Sequence, residues 1–335
     1  MNEYKYKFIE SNNLKIFNVD AYSLRGKNFF QNIFNYRKKI LKNEIGRIKK
    51  EKDFKCNLCG KRKKSLFLKW KKNYQLFKCL NCEAVSPNIS HINETEFIDS
   101  IYNNPNYTKK AFLDIYKNYN YRKKKFGKER FGYTIRRLGL SKKSKVLDLG
   151  CGFGYYLKYL KSKGVNCKGI EPAKNIADFC RKELKIDVYS SKLEDEKDKN
   201  YDLITLFDVI EHLKDPIDYF KKIKKKLKKN KYCVIYTPNI HSLSYALMGS
   251  DQNTMLPFEH VCFFNLKSIK YLAKQTKFKI HSIETYGFDI MDYFLLKEFK
   301  EKKRYINNFR EFINLTQSIL DKENYSNHFR ITLKS

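Results

Sequence analysis

Two closely spaced pairs of cysteines stand near the start of the chain, Cys56 with Cys59 and Cys79 with Cys82. Two residues between the members of a pair let a tight turn aim both sulfurs at one ion, and four thiolates complete a tetrahedral zinc site. Because such a set leaves no position for water or substrate, the predicted Zn²⁺ is structural. The competing interpretation, free thiols, leaves a tiny module with almost no core. We therefore predict a zinc-ribbon-like module over residues 55–90.

A second pattern with chemical meaning is a short apolar run, residues 146–149, that leads into glycines at positions 150, 152 and 154. Glycines permit a tight turn and let a ligand lie on bare backbone at the start of a helix. The pattern differs from the dinucleotide fingerprint, because its third glycine comes one residue early and Asp148 stands where an apolar residue is usual. By itself the loop is ambiguous.

The elements that would position these residues alternate between strand and helix. Apolar runs predict strands over residues 146–149, 167–171, 187–189, 201–207, 232–237, 279–285 and 329–333, with helices over 155–163, 173–184, 217–228 and 266–276. Such alternation indicates an α/β domain with a mainly parallel sheet and helices on both faces. We place this domain at residues 141–335, with a helical insert at about 288–322.

The remaining parts of the chain are predicted to be helical. Residues 1–54 would form an N-terminal extension with a helix at about 29–50, and residues 91–140 a connector or cap. Their function is not readable from the sequence.

From residue 146 onward the motifs resemble those of class I S-adenosylmethionine-dependent methyltransferases, in particular the ubiquinone-biosynthesis-like subgroup. Similar to that family are DLGCGFG at 148–154, GIEP at 169–172, YDLITLFDVIEHL at 201–213, YCVIYTPN at 232–239 and PFEHVCFFN at 257–265. The resemblance covers about residues 141–285 and implies a Rossmann-like sheet of seven strands.

The resemblance also implies the cofactor, S-adenosyl-L-methionine, and its binding residues. Asp148 and the backbone of 150–154 would hold the methionine end, Glu171 would accept both ribose hydroxyls, and residues 191–194 would flank adenine. The candidate cofactor-binding residues are Asp148, Gly150, Cys151, Gly152, Gly154, Glu171, Pro172, Leu193, Phe207, Asp208 and His212. Cys151 is interpreted as a packing residue and not as a nucleophile.

Methyl transfer to a hydroxyl or an acidic carbon needs a base, and His260 is the preferred candidate. It lies between the predicted fifth strand, 232–237, and the predicted helix over 266–276. We expect this segment to border the acceptor side of the substrate-binding cleft. The alternative is a histidine that orders its loop through a backbone hydrogen bond. Asp208, Glu211 and His212 also resemble the cluster that binds a divalent ion in some quinone O-methyltransferases, with aspartate in place of the usual glutamate, so Mg²⁺ there is a lesser alternative.

Composition limits the partners. The 335 residues include 70 Lys and Arg against 36 Asp and Glu, a net charge of +34, but 58 of the 70 are lysines and 12 are arginines. Because lysine is a point charge and arginine the bidentate phosphate ligand, nucleic acid is possible as a partner but not favoured. Apolar residues at 42% exclude wholesale disorder, and no run is long enough to span a membrane, so we expect a cytoplasmic protein.

The acceptor is expected only by analogy. A zinc module ahead of such a domain, with an aromatic insert, resembles methyltransferases of bacterial surface-polysaccharide and modified-sugar gene clusters. This implies a small-molecule or glycan acceptor, anionic or polar, such as a sugar or nucleotide-sugar hydroxyl.

Two other functions stay open. An RNA methyltransferase would use the zinc module to grip RNA, although no NPPY-type motif follows the fourth strand. A non-catalytic scaffold would be expected to lose Asp148, Gly150, Gly152 and Glu171, which are all present.

Overall fold

A seven-stranded sheet forms the centre of the protein. The computed structural model describes residues 19–44, 48–50, 54–70, 74–87, 89–91, 118–256 and 258–335. The sheet strands are β6 (Val146–Leu149), β7 (Cys167–Ile170), β8 (Val188–Tyr189), β9 (Tyr201–Phe207), β10 (Leu227–Pro238), β11 (Lys279–Tyr286) and β12 (His328–Lys334). Their order is β11-β12-β10-β9-β6-β7-β8, which confirms the predicted α/β, Rossmann-like fold.

The direction of the strands places the functional edge of the sheet. β8, β7, β6, β9 and β10 run parallel, and β12 runs antiparallel to both β10 and β11. The chain leaves β6 toward β7 and returns on the other side of β6 as β9, so the strand order reverses between β6 and β9. Ligands of open α/β sheets bind at the carboxyl ends of the strands beside such a point.

Helices cover both faces of the sheet, as its hydrophobic strands require. All seven residues of β9 are buried, which is expected for a central parallel strand. The covering helices are α4 (Tyr155–Ser162), α5 (Lys174–Lys182), α6 (Pro216–Lys226) and α8 (Leu266–Gln275), with the short α7 (Leu243–Met248) after β10. The predicted helix over 217–228 ends earlier, because Leu227 takes an extended conformation and begins β10.

The cysteine module is a small antiparallel sheet of β2 (Lys64–Trp70), β3 (Tyr74–Cys79) and β4 (Val85–Pro87). A separate two-stranded pair joins β1 (Ile48–Lys50) to β5 (Ile89–His91). The helix predicted over 29–50 therefore ends at Glu44, and its last residues form β1 instead.

Further helices lie outside the sheet and the helices that cover it. α1 (Ala21–Arg25) and α2 (Phe29–Glu44) pack on the insert, which consists of α9 (Asp289–Glu301) and α10 (Arg310–Lys322). A helical segment at 118–136, α3, lies on the main domain. The parts of the predicted extension and connector at 1–18 and 92–117 lie outside the described residues. In the described part of the chain, no helix is long and apolar enough to cross a membrane.

Candidate active site

The glycine loop after β6 needs its glycines for two different reasons. Gly150, Gly152 and Gly154 all have positive φ, +64°, +52° and +66°. A Cβ at Gly150 would lie 2.5 Å from a methyl of Val209, and one at Gly154 would lie 2.3 Å from Ile186. At Gly152 a Cβ would meet nothing within 4 Å. Two glycines thus allow close packing, and the third leaves its backbone open toward the cleft.

Glu171, which follows β7, faces this loop. Its Oε2 accepts a hydrogen bond from the Gly152 N–H and its Oε1 one from the Ala173 N–H, both at 2.9 Å. Burial raises the pKa of the Glu171 carboxyl. A carboxylate offers about four acceptor positions, so two stay available for the hydroxyls of a ribose. The residue therefore fits the predicted contact with S-adenosylmethionine.

Asp148 stands one layer behind the cleft wall. It is 2% exposed, and its Oδ1 accepts a hydrogen bond from Thr205 Oγ1 at 2.6 Å. Burial raises its pKa to about 7. Asp148, Cys151 and Gly154 do not line the cleft, whereas nine other predicted residues do: Gly150, Gly152, Glu171, Pro172, Leu193, Phe207, Asp208, His212 and His260.

One continuous cleft of about 860 Å³ holds these nine residues. We name the part of the cleft around the glycine loop, Glu171 and Leu193 the cofactor half. We name the part of the cleft around Arg25, Asn253 and His260 the acceptor half. The volume suits a nucleoside-type cofactor with a small acceptor beside it.

Glu211, His212 and His260 form a buried group in the acceptor half. One ligand atom of each lies within 4.8 Å of the others, and the two imidazole rings meet edge to face with centroids 4.7 Å apart. His260 Nε2 is 4.0 Å from Glu211 Oε1. Burial lowers the pKa of both histidines and, with the nearby Asp208 charge, raises that of Glu211. Both imidazoles are therefore neutral at pH 7.

The hydrogen bonds assign the protons in this group. His212 Nδ1 lies 3.0 Å from the carbonyl oxygen of Glu259, which can only accept, so Nδ1 carries the proton and Nε2 has a free lone pair. His260 Nδ1 and Glu211 Oε1 are buried without a hydrogen-bond partner among the described residues. The group can accept a proton, or hold a cation, at the acceptor end of the cleft.

Asp208 takes a partner that the sequence analysis missed. Its Oδ1 lies 3.2 Å from His328 Nε2, and its Oδ2 is 3.9 Å from Arg130. The sequence analysis grouped Asp208 with Glu211 and His212 as a possible cation site. Among the described residues, His260 and not Asp208 completes the close group with Glu211 and His212. His328 begins β12, and the predicted strand at 329–333 would have revealed it had its antiparallel direction been known.

The four cysteines form a compact cluster, as predicted. The Sγ atoms of Cys56 and Cys82 are 3.5 Å apart, as are those of Cys59 and Cys79, and all four lie within 4.8 Å of one another. Tetrahedral Zn–S bonds of about 2.3 Å require sulfurs about 3.8 Å apart, so the cluster fits zinc.

The cysteine module rests directly on the segment that carries His260. Val85 and Phe263 exchange both backbone hydrogen bonds, at 3.0 and 2.8 Å. Asn57 Nδ2 donates to the Val261 carbonyl at 2.7 Å. The module therefore supports one wall of the acceptor half.

Comparisons with known proteins agree with this geometry. Residues 121–283 match a family model described as a methyltransferase domain. A ubiquinone biosynthesis O-methyltransferase of Pelagibacter ubique is 30% identical over 164 residues, 45% of this chain and 68% of that protein. One from Aliivibrio fischeri is 26% identical over 133 residues, 37% of this chain and 57% of that protein. The chain thus spans roughly three fifths of these relatives' length.

Among solved structures, a SAM-dependent methyltransferase from Archaeoglobus fulgidus aligns at 24% identity with a TM-score of 0.43. The alignment covers 62% of this chain and 94% of that one.

Proposed function

Because the chain belongs to the class I S-adenosylmethionine-dependent methyltransferases, we propose that it transfers a methyl group to a hydroxyl of a small acceptor. The observation that carries this proposal is the single cleft that joins Glu171 and the open Gly152 backbone to the neutral imidazoles of His212 and His260. The sulfonium cofactor supplies an activated methyl group when bound. The protein has to orient both reactants and remove one proton.

The residues of the cofactor half bind and orient. Glu171, already fixed by two backbone N–H groups, would accept the ribose hydroxyls with its free lone pairs. Leu193 and Pro172 would pack against the adenine ring of the cofactor, and Phe207 would form the floor of the cleft beside Asp208. Such positioning by itself lowers the activation free energy of methyl transfer by several kcal/mol.

His260 is the proposed base. Its unpartnered Nδ1 can take the acceptor's proton, and the imidazolium that forms would have Glu211 Oε1 near its Nε2. His212 is the competing candidate, because its Nε2 lone pair is free and its ring is less buried. A Mg²⁺ ion on Glu211 and the histidines is a further alternative, and it predicts turnover that rises with added Mg²⁺.

We propose a sugar or nucleotide-sugar hydroxyl as the acceptor. Polar side chains line the acceptor half, including Asn253, His260 and His328, and these suit a ligand with several hydroxyls. The relatives are named for ubiquinone biosynthesis, so a ubiquinone precursor is the second acceptor to test. RNA is the third, because the net charge of +34 favours it.

Calorimetric titration of S-adenosylmethionine into the purified protein tests the cofactor site. We expect micromolar binding that Glu171→Ala weakens at least 100-fold, since it loses charge-assisted hydrogen bonds. Glu323→Ala, at an exposed glutamate, is the matched control. Methyl transfer is then measured on sugars, nucleotide sugars, ubiquinone precursors and RNA. No binding by folded protein would overturn the proposal.

A further inference from the structure

We propose that Arg25, Asn253 and Asp292 form a subsite for an uncharged, hydroxyl-bearing part of the acceptor, as in a neutral sugar. This inference rests on the proposed methyl transfer and concerns which acceptor the same cleft takes. Arg25 ends α1, Asn253 lies in the segment 249–256, and Asp292 lies in α9. Arg25 and Asn253 both line the acceptor half.

Asp292 compensates the charge of Arg25. The guanidinium donates from Nε to Oδ1 at 3.0 Å and from Nη2 to Oδ2 at 2.8 Å. The carboxylate is fully buried and accepts a third hydrogen bond from Asn253 Nδ2 at 3.0 Å. Such a paired guanidinium still has N–H groups to donate, but it presents little net charge to a ligand.

Asn253 contributes an acceptor atom. A carboxylate can only accept, so the amide nitrogen must face Asp292, which fixes the orientation of the side chain. Asn253 is 7% exposed, and its Oδ1 is buried without a hydrogen-bond partner among the described residues. An unpaired buried acceptor destabilises the folded protein, and a hydrogen-bond donor on the ligand would remove that cost.

The combination selects hydroxyl groups over oxyanions. A hydroxyl accepts from Arg25 and donates to Asn253 Oδ1, whereas a carboxylate or phosphate has no proton to give and would leave Oδ1 unpaired. An anion would also meet Asp292 directly behind the guanidinium. Phe29, whose ring centroid is 4.7 Å from the guanidinium carbon, and Ile33 line the same part of the cleft and suit the carbon face of a sugar.

Binding to the protein saturated with S-adenosylhomocysteine tests the subsite. The probes are a panel of neutral methyl hexosides and the corresponding uronic acids, titrated by calorimetry. We expect at least one neutral glycoside to bind about 10-fold more tightly than its uronic acid. Asn253→Leu should weaken that binding about 10-fold and change the cofactor dissociation constant less than 2-fold.

A second variant tests the charge compensation. Asp292→Asn frees the charge of Arg25, so the preference should shift about 10-fold toward the uronic acid. Asp321→Asn, on the neighbouring α10 and away from the cleft, should not shift it. Thermal unfolding verifies that each variant folds. If Asp292→Asn does not fold, the inference is tested by the selectivity of the wild-type protein between glycoside and uronic acid and by the loss of binding in Asn253→Leu.

Three results would overturn the inference: tighter binding of a uronic acid than of its neutral glycoside, no binding of any neutral glycoside by cofactor-loaded protein, or no effect of Asn253→Leu. Each is seen with cofactor binding intact. Failure of the proposed function is different, because there the cofactor itself does not bind.

Discussion

In the cofactor half of the cleft, the lining residues come from the ends of β6, β7, β8 and β9. The acceptor half combines Glu211 and His212, which follow β9, with residues of α1 and α2, of 253–256 and 258–261, and of β12. The first set is positioned by strand ends and by glycines whose conformations are locally determined. The second set depends on contacts between distant parts of the chain, such as Arg25 with Asp292, 267 positions apart.

This difference predicts that the two halves can be damaged separately. The cysteine module touches Val261 and Phe263, on the acceptor side, through Asn57 and Val85. The glycine loop and Glu171 bond to each other. These two sets of hydrogen bonds share no residue, so a change in one half should alter ligand binding in the other half much less than in its own.

Loss of a cysteine ligand should have the largest effect. Cys79→Ser removes one thiolate, and because structural zinc sites supply the folding energy of small modules, the cysteine module should lose both metal and structure. We expect zinc content to fall from one equivalent to nearly none and turnover to drop more than 100-fold. The dissociation constant of S-adenosylmethionine should change less than 3-fold.

Zinc is measured by plasma mass spectrometry and cofactor binding by calorimetry. Cys167→Ser, at a cysteine outside the cluster, is the control and should retain both zinc and turnover. Equal loss of cofactor binding and turnover would break the separation between the two halves.

Replacement of the proposed base should come next. His260→Asn should lower kcat about 10²–10⁴-fold, the usual contribution of a general base, without weakening cofactor binding. His212→Asn, at the adjacent ring, should cost less, and the reverse order would reassign the base.

The pH profile checks the same residue. Burial holds the pKa of His260 well below its ordinary 6.5, so the imidazole stays unprotonated as pH falls through 6.5. The wild-type kcat/KM should therefore stay level from pH 8 to about pH 6 and fall only below that. A decline of kcat/KM centred on pH 6.5 would instead indicate that a solvated histidine acts as the base.

Gly152→Ala tests the cofactor half with a smaller effect. Alanine at a positive φ should cost about 1–2 kcal/mol of stability, and its methyl group would occupy space left for the ligand, so cofactor affinity should fall about 10-fold. Gly139 has a similar φ of +63° and equally open surroundings, but it does not line the cleft. Gly139→Ala should lose similar stability and no cofactor affinity. Equal affinity in both variants would mean that the ligand does not approach Gly152.

The sequence predicted the cofactor half because its residues lie at fixed positions after recognisable strands. Glu171 directly follows the second strand of the sheet in chain order and Gly152 follows the first, so the order of the motifs alone predicted their positions. Arg25, Asn253 and His328 could not be found in this way. Their neighbours are set by how α1, α9 and β12 pack, and no local pattern encodes that packing.

Asp148→Asn should give the smallest effect, on stability as a function of pH. Burial raises the pKa of Asp148 from its ordinary 3.8 to about 7. Between these values the folded protein keeps a proton that the unfolded chain has released, so wild-type stability falls as pH rises through this window. Asparagine has no such proton. The melting temperature of Asp148→Asn relative to wild type should therefore rise by a few degrees from pH 4 to pH 7.

Scanning calorimetry across this range, with the exposed Asp187→Asn as control, decides the point. A constant difference would mean that Asp148 ionises normally behind the glycine loop. A rising difference would extend the comparison to electrostatics, because the two halves treat a buried carboxyl differently. The acceptor half pairs Asp292 with the guanidinium of Arg25, whereas the cofactor half leaves Asp148 with the hydroxyl of Thr205.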